Sequence, residues 1–140
     1  MANYYGQART NYFRVKDVEA FVAEMSKLPV EVITHEDKEA GDTFYGFMDS
    51  NQDGGGLSWT YWDDDTEDEI EINWIDVLQR HVAPGWSAIL MEVGSEKYRY
   101  LNAYAIVVTE SGHKELNLES LAGDIARDEL GADNVTGVSY

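Results

Sequence analysis

The chain has no cysteine, only two prolines among its 140 residues, and few basic residues. Without cysteine, disulfides, zinc–thiolate sites and a cysteine nucleophile are excluded. No apolar run approaches the ~18 residues that a membrane span requires, and residues 1–7 show none of the basic and apolar pattern of a signal peptide. We therefore expect a cytoplasmic protein.

Side chains that form hydrophobic cores are abundant. Hydrophobic residues make up 44% of the chain and include four Trp, nine Tyr and four Phe, which is too many for a disordered protein. A chain of 140 residues is close to the commonest size of a single domain. We expect one domain over residues 1–140, with a short C-terminal tail at 132–140 and most of the aromatic side chains in the core.

The charge balance is strongly acidic. The chain has 27 Asp and Glu against 10 Lys and Arg, which gives a net charge of −17 with neutral histidines. Direct binding to nucleic acid or to an anionic membrane depends on clustered Lys and Arg, and so is not expected. A basic protein surface is the natural complement.

The acidic residues are concentrated in the middle of the sequence. Residues 39–79 contain 12 Asp or Glu and not one Lys or Arg, and residues 63–71 contain seven acids in nine positions. Such a segment must lie on the surface because like charges at this spacing repel. Catalysis by paired carboxylates requires burial, which an exposed segment does not supply.

A partner-binding surface and a merely solvated loop are both consistent with this segment. Trp62 directly precedes it, and a tryptophan beside a charged patch is typical of an interface anchor. Burial of Trp62 under a helix is the alternative. The predicted partner-binding residues are Asp63, Asp64, Asp65, Glu67, Asp68, Glu69, Glu71 and Trp62.

The hydrophobic pattern predicts six strands and three helices. Strands are expected at residues 10–15, 30–35, 43–48, 57–62, 86–93 and 100–109. Helices are expected after the N-caps Asp17 and Asn117 and over residues 74–82. The order β-α-β-β-β-α-β-β-α lacks the strict alternation of a doubly wound fold. It predicts an α+β fold, with a single antiparallel sheet and two to three helices packed mainly on one face.

One segment resembles half of a calcium-binding loop. Asp49, Asn51 and Asp53 occupy the first three ligand positions of that motif and Gly54 its turn position, but Thr60 stands where a bidentate Glu is required. A glycine-rich turn is the alternative explanation. The three histidines fall in three different predicted elements, so no metal site and no cofactor are predicted.

Two segments resemble a group of mobile-element proteins. Residues 1–17, MANYYGQARTNYFRVKD, and residues 91–101, MEVGSEKYRYL, are similar to small acidic proteins of unassigned function from bacterial plasmids and other mobile elements. In size and charge the chain is also similar to anti-CRISPR and antirestriction proteins, several of which imitate DNA with carboxylates. These resemblances imply a non-enzymatic inhibitor that binds the basic, nucleic-acid-binding surface of a host defence complex.

Three other functions remain open at this point. The protein could be an acidic immunity protein or antitoxin for a basic toxin, which the same charge would suit. It could be a small enzyme or a weak calcium-binding domain at Asp49, Asn51 and Asp53. Finally, the charge could serve solubility alone.

Overall fold

The computed structural model describes residues 4–50, 54–97 and 99–138, which form two antiparallel sheets and three helices. The strands are β1 (Tyr5–Thr10), β2 (Val30–Asp37), β3 (Asp42–Asp49), β4 (Thr60–Asp63), β5 (Asp68–Glu71), β6 (Ala88–Glu96), β7 (Tyr100–Thr109) and β8 (Gly112–Asn117). The helices are α1 (Val18–Met25), α2 (Trp74–His81) and α3 (Leu118–Asp124), and α3 continues into a π-helical turn over Ile125–Glu129. The predicted α+β fold is confirmed, but its strands form two antiparallel sheets instead of the single sheet that was expected.

The main sheet has six strands in the order β2-β3-β1-β6-β7-β8, and every neighbouring pair is antiparallel. Its longest ladder joins β6 to β7, from Ala88 opposite Val108 to Glu96 opposite Tyr100. On β6 the side chains of Ala88, Leu90 and Glu92 are buried, so this side of the sheet faces the core.

Helices α1 and α2 pack on that side. Asp17 caps α1 as predicted, because its carboxylate accepts the Ala20 N–H at 3.1 Å. The fully buried side chains come from both helices and from the sheet; the largest are Trp74, Phe13, Phe21, Phe47, Met25, Leu78, Leu90 and Ile106. Of the four tryptophans only Trp74 is fully buried, so the core takes fewer aromatic side chains than the composition suggested.

A polar contact joins the two helices. Glu24 of α1 lies 2.5 Å from the Nε2 of His81 and accepts two hydrogen bonds from the guanidinium of Arg80, at 2.8 and 3.0 Å. Burial of the Glu24 carboxyl opposes its ionisation, but the hydrogen bonds from Arg80 and His81 outweigh it and lower the pKa of Glu24. His81 is thus packed between the two helices, with 7% of its surface exposed.

The structure contains two strands that the sequence did not predict. Strand β5 lies inside the acidic segment, where Asp and Glu are poor strand formers, and pairs with β4 as a second, two-stranded sheet. Strand β8 is an edge strand with exposed side chains after its first residue, so it lacks the apolar alternation of a half-buried strand.

Three details of the chain complete the fold. The first strand spans Tyr5–Thr10, whereas a strand had been expected at residues 10–15. Residues 132–138 contain neither helix nor strand, and the Val138 N–H donates to Glu119 of α3. The helices in the described part of the chain are at most eight residues long, too short for any of them to cross a membrane.

Candidate functional site

The acidic segment folds as an ordered β-hairpin, which we call the acid hairpin (residues 60–71). Strand β4 pairs with β5 through four residue pairs, from Thr60 opposite Glu71 to Asp63 opposite Asp68. Six of the seven predicted acids are exposed, and Asp63 is half-buried. The structure thus brings all seven acids together on one small element.

Alternation along the hairpin gives it an inner and an outer side. Tyr61 and Ile70 form one cross-strand pair and are half-buried, and Tyr61 packs against the hydrophobic core. Trp62 and Glu69 form the next pair on the opposite side, where Trp62 is 62% exposed. The tryptophan is therefore displayed among the carboxylates instead of being covered by a helix.

Hydrogen bonds between residues of the hairpin stabilise its turn. Asp63 accepts the Asp65 N–H at 3.1 Å and the Thr66 hydroxyl at 3.2 Å, and Glu69 accepts the Thr60 hydroxyl at 2.8 Å. Glu67 adopts a φ of 53°, a left-handed conformation that costs a non-glycine residue roughly 1 kcal/mol or more. A carboxylate is thus held at a turn position where glycine would be more stable.

The base of the hairpin is fixed to the body of the protein. The Ile72 N–H donates to the Trp59 carbonyl at 2.8 Å, and the indole N–H of the buried Trp74 donates to the Ser58 carbonyl at 2.9 Å. Since Ile72 and Trp74 are both in the core cluster, the hairpin is attached to the hydrophobic core of the molecule.

The acid hairpin has no internal counter-ions. Across residues 4–50, 54–97 and 99–138, the ion pairs join Arg14 to Asp42, Lys16 to Glu110, Arg80 to Glu24 and Asp76, His81 to Glu24, and Arg127 to Asp124. None of them involves an acid of the hairpin. Its negative charge is therefore available to a partner.

The seven carboxylates of the acid hairpin are concentrated at its turn and along β5. Asp63 ends β4, Asp64, Asp65 and Glu67 lie in the turn, and β5 carries Asp68, Glu69 and Glu71. Glu69 and Glu71 are two residues apart, so they lie on one side of β5 about 7 Å from each other. Duplex DNA carries roughly one negative charge per 1.7 Å of its axis, so a basic groove that binds phosphates can also accept a cluster of carboxylates of this kind.

Of the three predicted calcium ligands, only Asp49 lies within the described residues. The carboxylate of Asp49 accepts the Ala8 N–H at 2.7 Å, between β3 and β1. Asn51 and Asp53 lie outside the described residues. Within the described ranges no group of three or more His, Asp or Glu side chains could hold a metal ion.

A buried polar cluster was not predicted from the sequence. Glu92 is only 7% exposed; its carboxylate accepts the Leu57 N–H at 2.7 Å, the Tyr4 hydroxyl at 2.9 Å and the Asn102 amide at 3.2 Å. Burial, with the nearby Glu92 charge, raises the pKa of Tyr104 to about 12. Donors from three segments meet both carboxylate oxygens, so the cluster joins β6, β7 and the segments around Tyr4 and Leu57.

Comparisons with known proteins add no relative. The chain matches no protein-family model, no curated protein and no solved structure.

Proposed function

We propose that this protein is a non-enzymatic inhibitor from a mobile genetic element, of the anti-CRISPR or antirestriction type. The acid hairpin imitates DNA and occupies the basic, nucleic-acid-binding surface of a host defence complex in the cytoplasm. The observation that carries the proposal is an ordered hairpin of seven carboxylates with no lysine or arginine of the described chain paired to it.

The fixed attachment of the hairpin favours this function over simple solvation. A charge that serves only solubility needs no defined geometry, whereas the hairpin is ordered by its own hydrogen bonds and anchored beside Trp74. Trp62 supplies the large exposed side chain that typically dominates an interface, and the carboxylates supply electrostatic steering toward a basic groove.

The experiment has two stages. The tagged wild-type chain captures its target from a lysate of a bacterium that carries CRISPR and restriction systems, and duplex DNA is then added as competitor. The proposal predicts that the captured protein binds nucleic acid and that DNA releases it. A captured toxin that DNA does not displace would favour the immunity-protein alternative, and a target retained by a variant without the hairpin acids would refute the proposed surface.

A matched pair of variants separates binding from folding. Glu67→Gly removes one hairpin charge and relieves a left-handed φ, so it should stabilise the fold by about 1 kcal/mol and yet weaken target binding. Within the described residues Lys97, between β6 and β7, is the other non-glycine residue with a left-handed φ, 50°; Lys97→Gly relieves it and should stabilise the fold by a similar amount without weakening binding. Urea unfolding and titration calorimetry measure the two effects.

Replacing Asp63, Asp64 and Asp65 together by Asn tests the electrostatics directly. Binding should weaken and its dependence on salt should flatten, because fewer charges are screened. A wild-type affinity that does not change between about 0.05 and 0.5 M NaCl, over which the Debye length falls from roughly 14 Å to roughly 4 Å, would contradict a role for the hairpin.

A further inference from the structure

The main sheet leaves one of its sides largely uncovered. On β6, Met91 and Val93 alternate with the buried residues and are 50% and 52% exposed, and Tyr5 of β1 is 62% exposed. We call this side the open face. By strand register its members on the four contiguous strands β1, β6, β7 and β8 are Tyr5, Gln7, Arg9, Ile89, Met91, Val93, Ser95, Leu101, Ala103, Ala105, Val107, Thr109, Gly112, Lys114 and Leu116.

An aromatic cluster extends the open face toward β3 and β2. The ring of Tyr12 lies 5.4 Å from that of His35, and Phe44 lies 5.3 Å from Trp86, with His35 and Phe44 stacked at 6.5 Å. The guanidinium of Arg9 lies 5.2 Å from the Tyr12 ring centre. Aromatic residues, Met and Arg are the side chains enriched in the cores of protein interfaces.

The open face differs from the rest of the molecule in charge. In a chain with a net charge of −17, strands β1, β6, β7 and β8 contribute no Asp or Glu to it, and their charged members are Arg9 and Lys114. The carboxylates that the register places on this side, Glu31, Asp37 and Asp42, all lie on β2 and β3, at one edge of the sheet. Two cations are too few for a nucleic-acid surface. A basic protein would find no carboxylate on β1, β6, β7 and β8. The face therefore suits another apolar face, and the chain itself provides one.

Counted over all six strands, the open face approaches the size of one side of a standard dimer interface. Six strands spaced about 4.8 Å apart span about 24 Å, and six to ten residues span about 20–30 Å along the strands. This outline approaches the ~800 Å² that each partner contributes to a standard interface. Exposed apolar patches of several hundred Å² mark interaction sites on soluble proteins.

From these observations we propose that two copies of this chain associate through their open faces. The two sheets stack about 10 Å apart as in a β-sandwich, with α1 and α2 of each copy on the outside. The acid hairpin packs against the helix-covered core through Tyr61, so the two hairpins stay on the outer sides and their charges do not meet. The dimer does not depend on the proposed inhibitor function.

Light scattering coupled to size-exclusion chromatography tests the association between about 1 and 100 µM. The wild-type chain should have twice its 15.8 kDa mass at the upper end. Val93→Glu should raise the dissociation constant at least about 100-fold, because it places an unpaired charge in each half of a buried apolar interface. Val22→Glu makes the same change on an exposed position of α1 and should leave the dimer unchanged.

A second pair keeps the test informative if Val93→Glu unfolds. Val93→Thr retains the β-branched shape and strand preference but buries a hydroxyl, so it should still weaken the dimer, by about tenfold, relative to Val22→Thr. Replacing the hairpin acids should not reduce dimerisation. A wild-type chain that stays monomeric at 100 µM, or a dimer that both Val93 variants leave intact, would overturn the proposal.

Discussion

At the scale of single residues, Glu92 is the side chain on which the local structure most depends. It is buried beneath the loop that leads to the acid hairpin, and it holds that loop through the Leu57 N–H. Gly56 lies against it with a φ of 84°, and a Cβ at that position would stand 2.8 Å from the Glu92 Oε1. Glycine is therefore required there on both conformational and steric grounds.

Replacing Glu92 by Gln should destabilise the fold by about 2 kcal/mol. The amide provides one acceptor oxygen and turns its NH₂ group toward donors, so a buried hydrogen bond to a charged group is lost. Urea unfolding measures the change. Glu115→Gln, on the exposed edge strand β8, removes the same charge and should alter stability by less than about 0.5 kcal/mol. Equal losses in the two variants would mean that the buried cluster contributes nothing.

At the scale of elements, the contact of Glu24 with Arg80 and His81 holds α1 against α2. The lowered pKa of Glu24 means that the folded state favours its ionised form. This stabilisation is present above the ordinary carboxyl pKa of 4.5 and is lost as the pH falls through the lower folded pKa.

Glu24→Gln should therefore cost about 1 kcal/mol near pH 7, a figure limited by solvent screening at the half-exposed Arg80. The difference from wild type should shrink as the pH is lowered below 4.5. Thermal unfolding between pH 3 and 8 gives the profile. Glu36→Gln, an exposed change on β2, serves as the control and should show no such profile. A difference between wild type and Glu24→Gln that does not change with pH would contradict the ionic origin of the contact.

Most elements could be predicted from the sequence because their apolar residues repeat at helical or strand spacing. Residues 100–109 form a strand as predicted, and Asp17 and Asn117 cap their helices. Strand β5 could not be found in this way, because its side chains are acidic and only its pairing with β4 makes it a strand. Sequence proximity predicted the acidic patch but could not show that it folds into a hairpin.

The apolar residues of the open face are visible in the sequence, but the sequence alone does not show that this side of the sheet is exposed. On β6 both Leu90 and Met91 are apolar, a pattern typical of a strand buried on two sides. In the isolated chain only one of those sides is buried, so the second apolar side points to an interface and not to the core.

At the scale of the whole molecule, the net charge of −17 opposes the compact state through repulsion among exposed carboxylates. Raising NaCl from about 0.01 M to about 1 M shortens the Debye length from about 30 Å to about 3 Å. The melting temperature should therefore rise with salt, by about 3–5 °C for each kcal/mol of relieved repulsion.

Calorimetry at a fixed protein concentration measures this rise, with the triple variant Asp64→Asn, Asp65→Asn, Glu67→Gln as the comparison. That variant lacks three charges of the acid hairpin and should respond less to salt. A melting temperature that falls with salt in the wild type would show that attractive ion pairs outweigh the repulsion.

The hairpin belongs to a sheet of its own and shares no ladder with the six-stranded sheet; its base is closed by the Ile72 to Trp59 hydrogen bond and by the bond from the Trp74 indole to Ser58. Insertions, deletions and substitutions in residues 64–67 would therefore leave the register of the scaffold unchanged. Under the proposed inhibitor function, the length and charge of this loop can therefore change with the target while the rest of the domain stays constant.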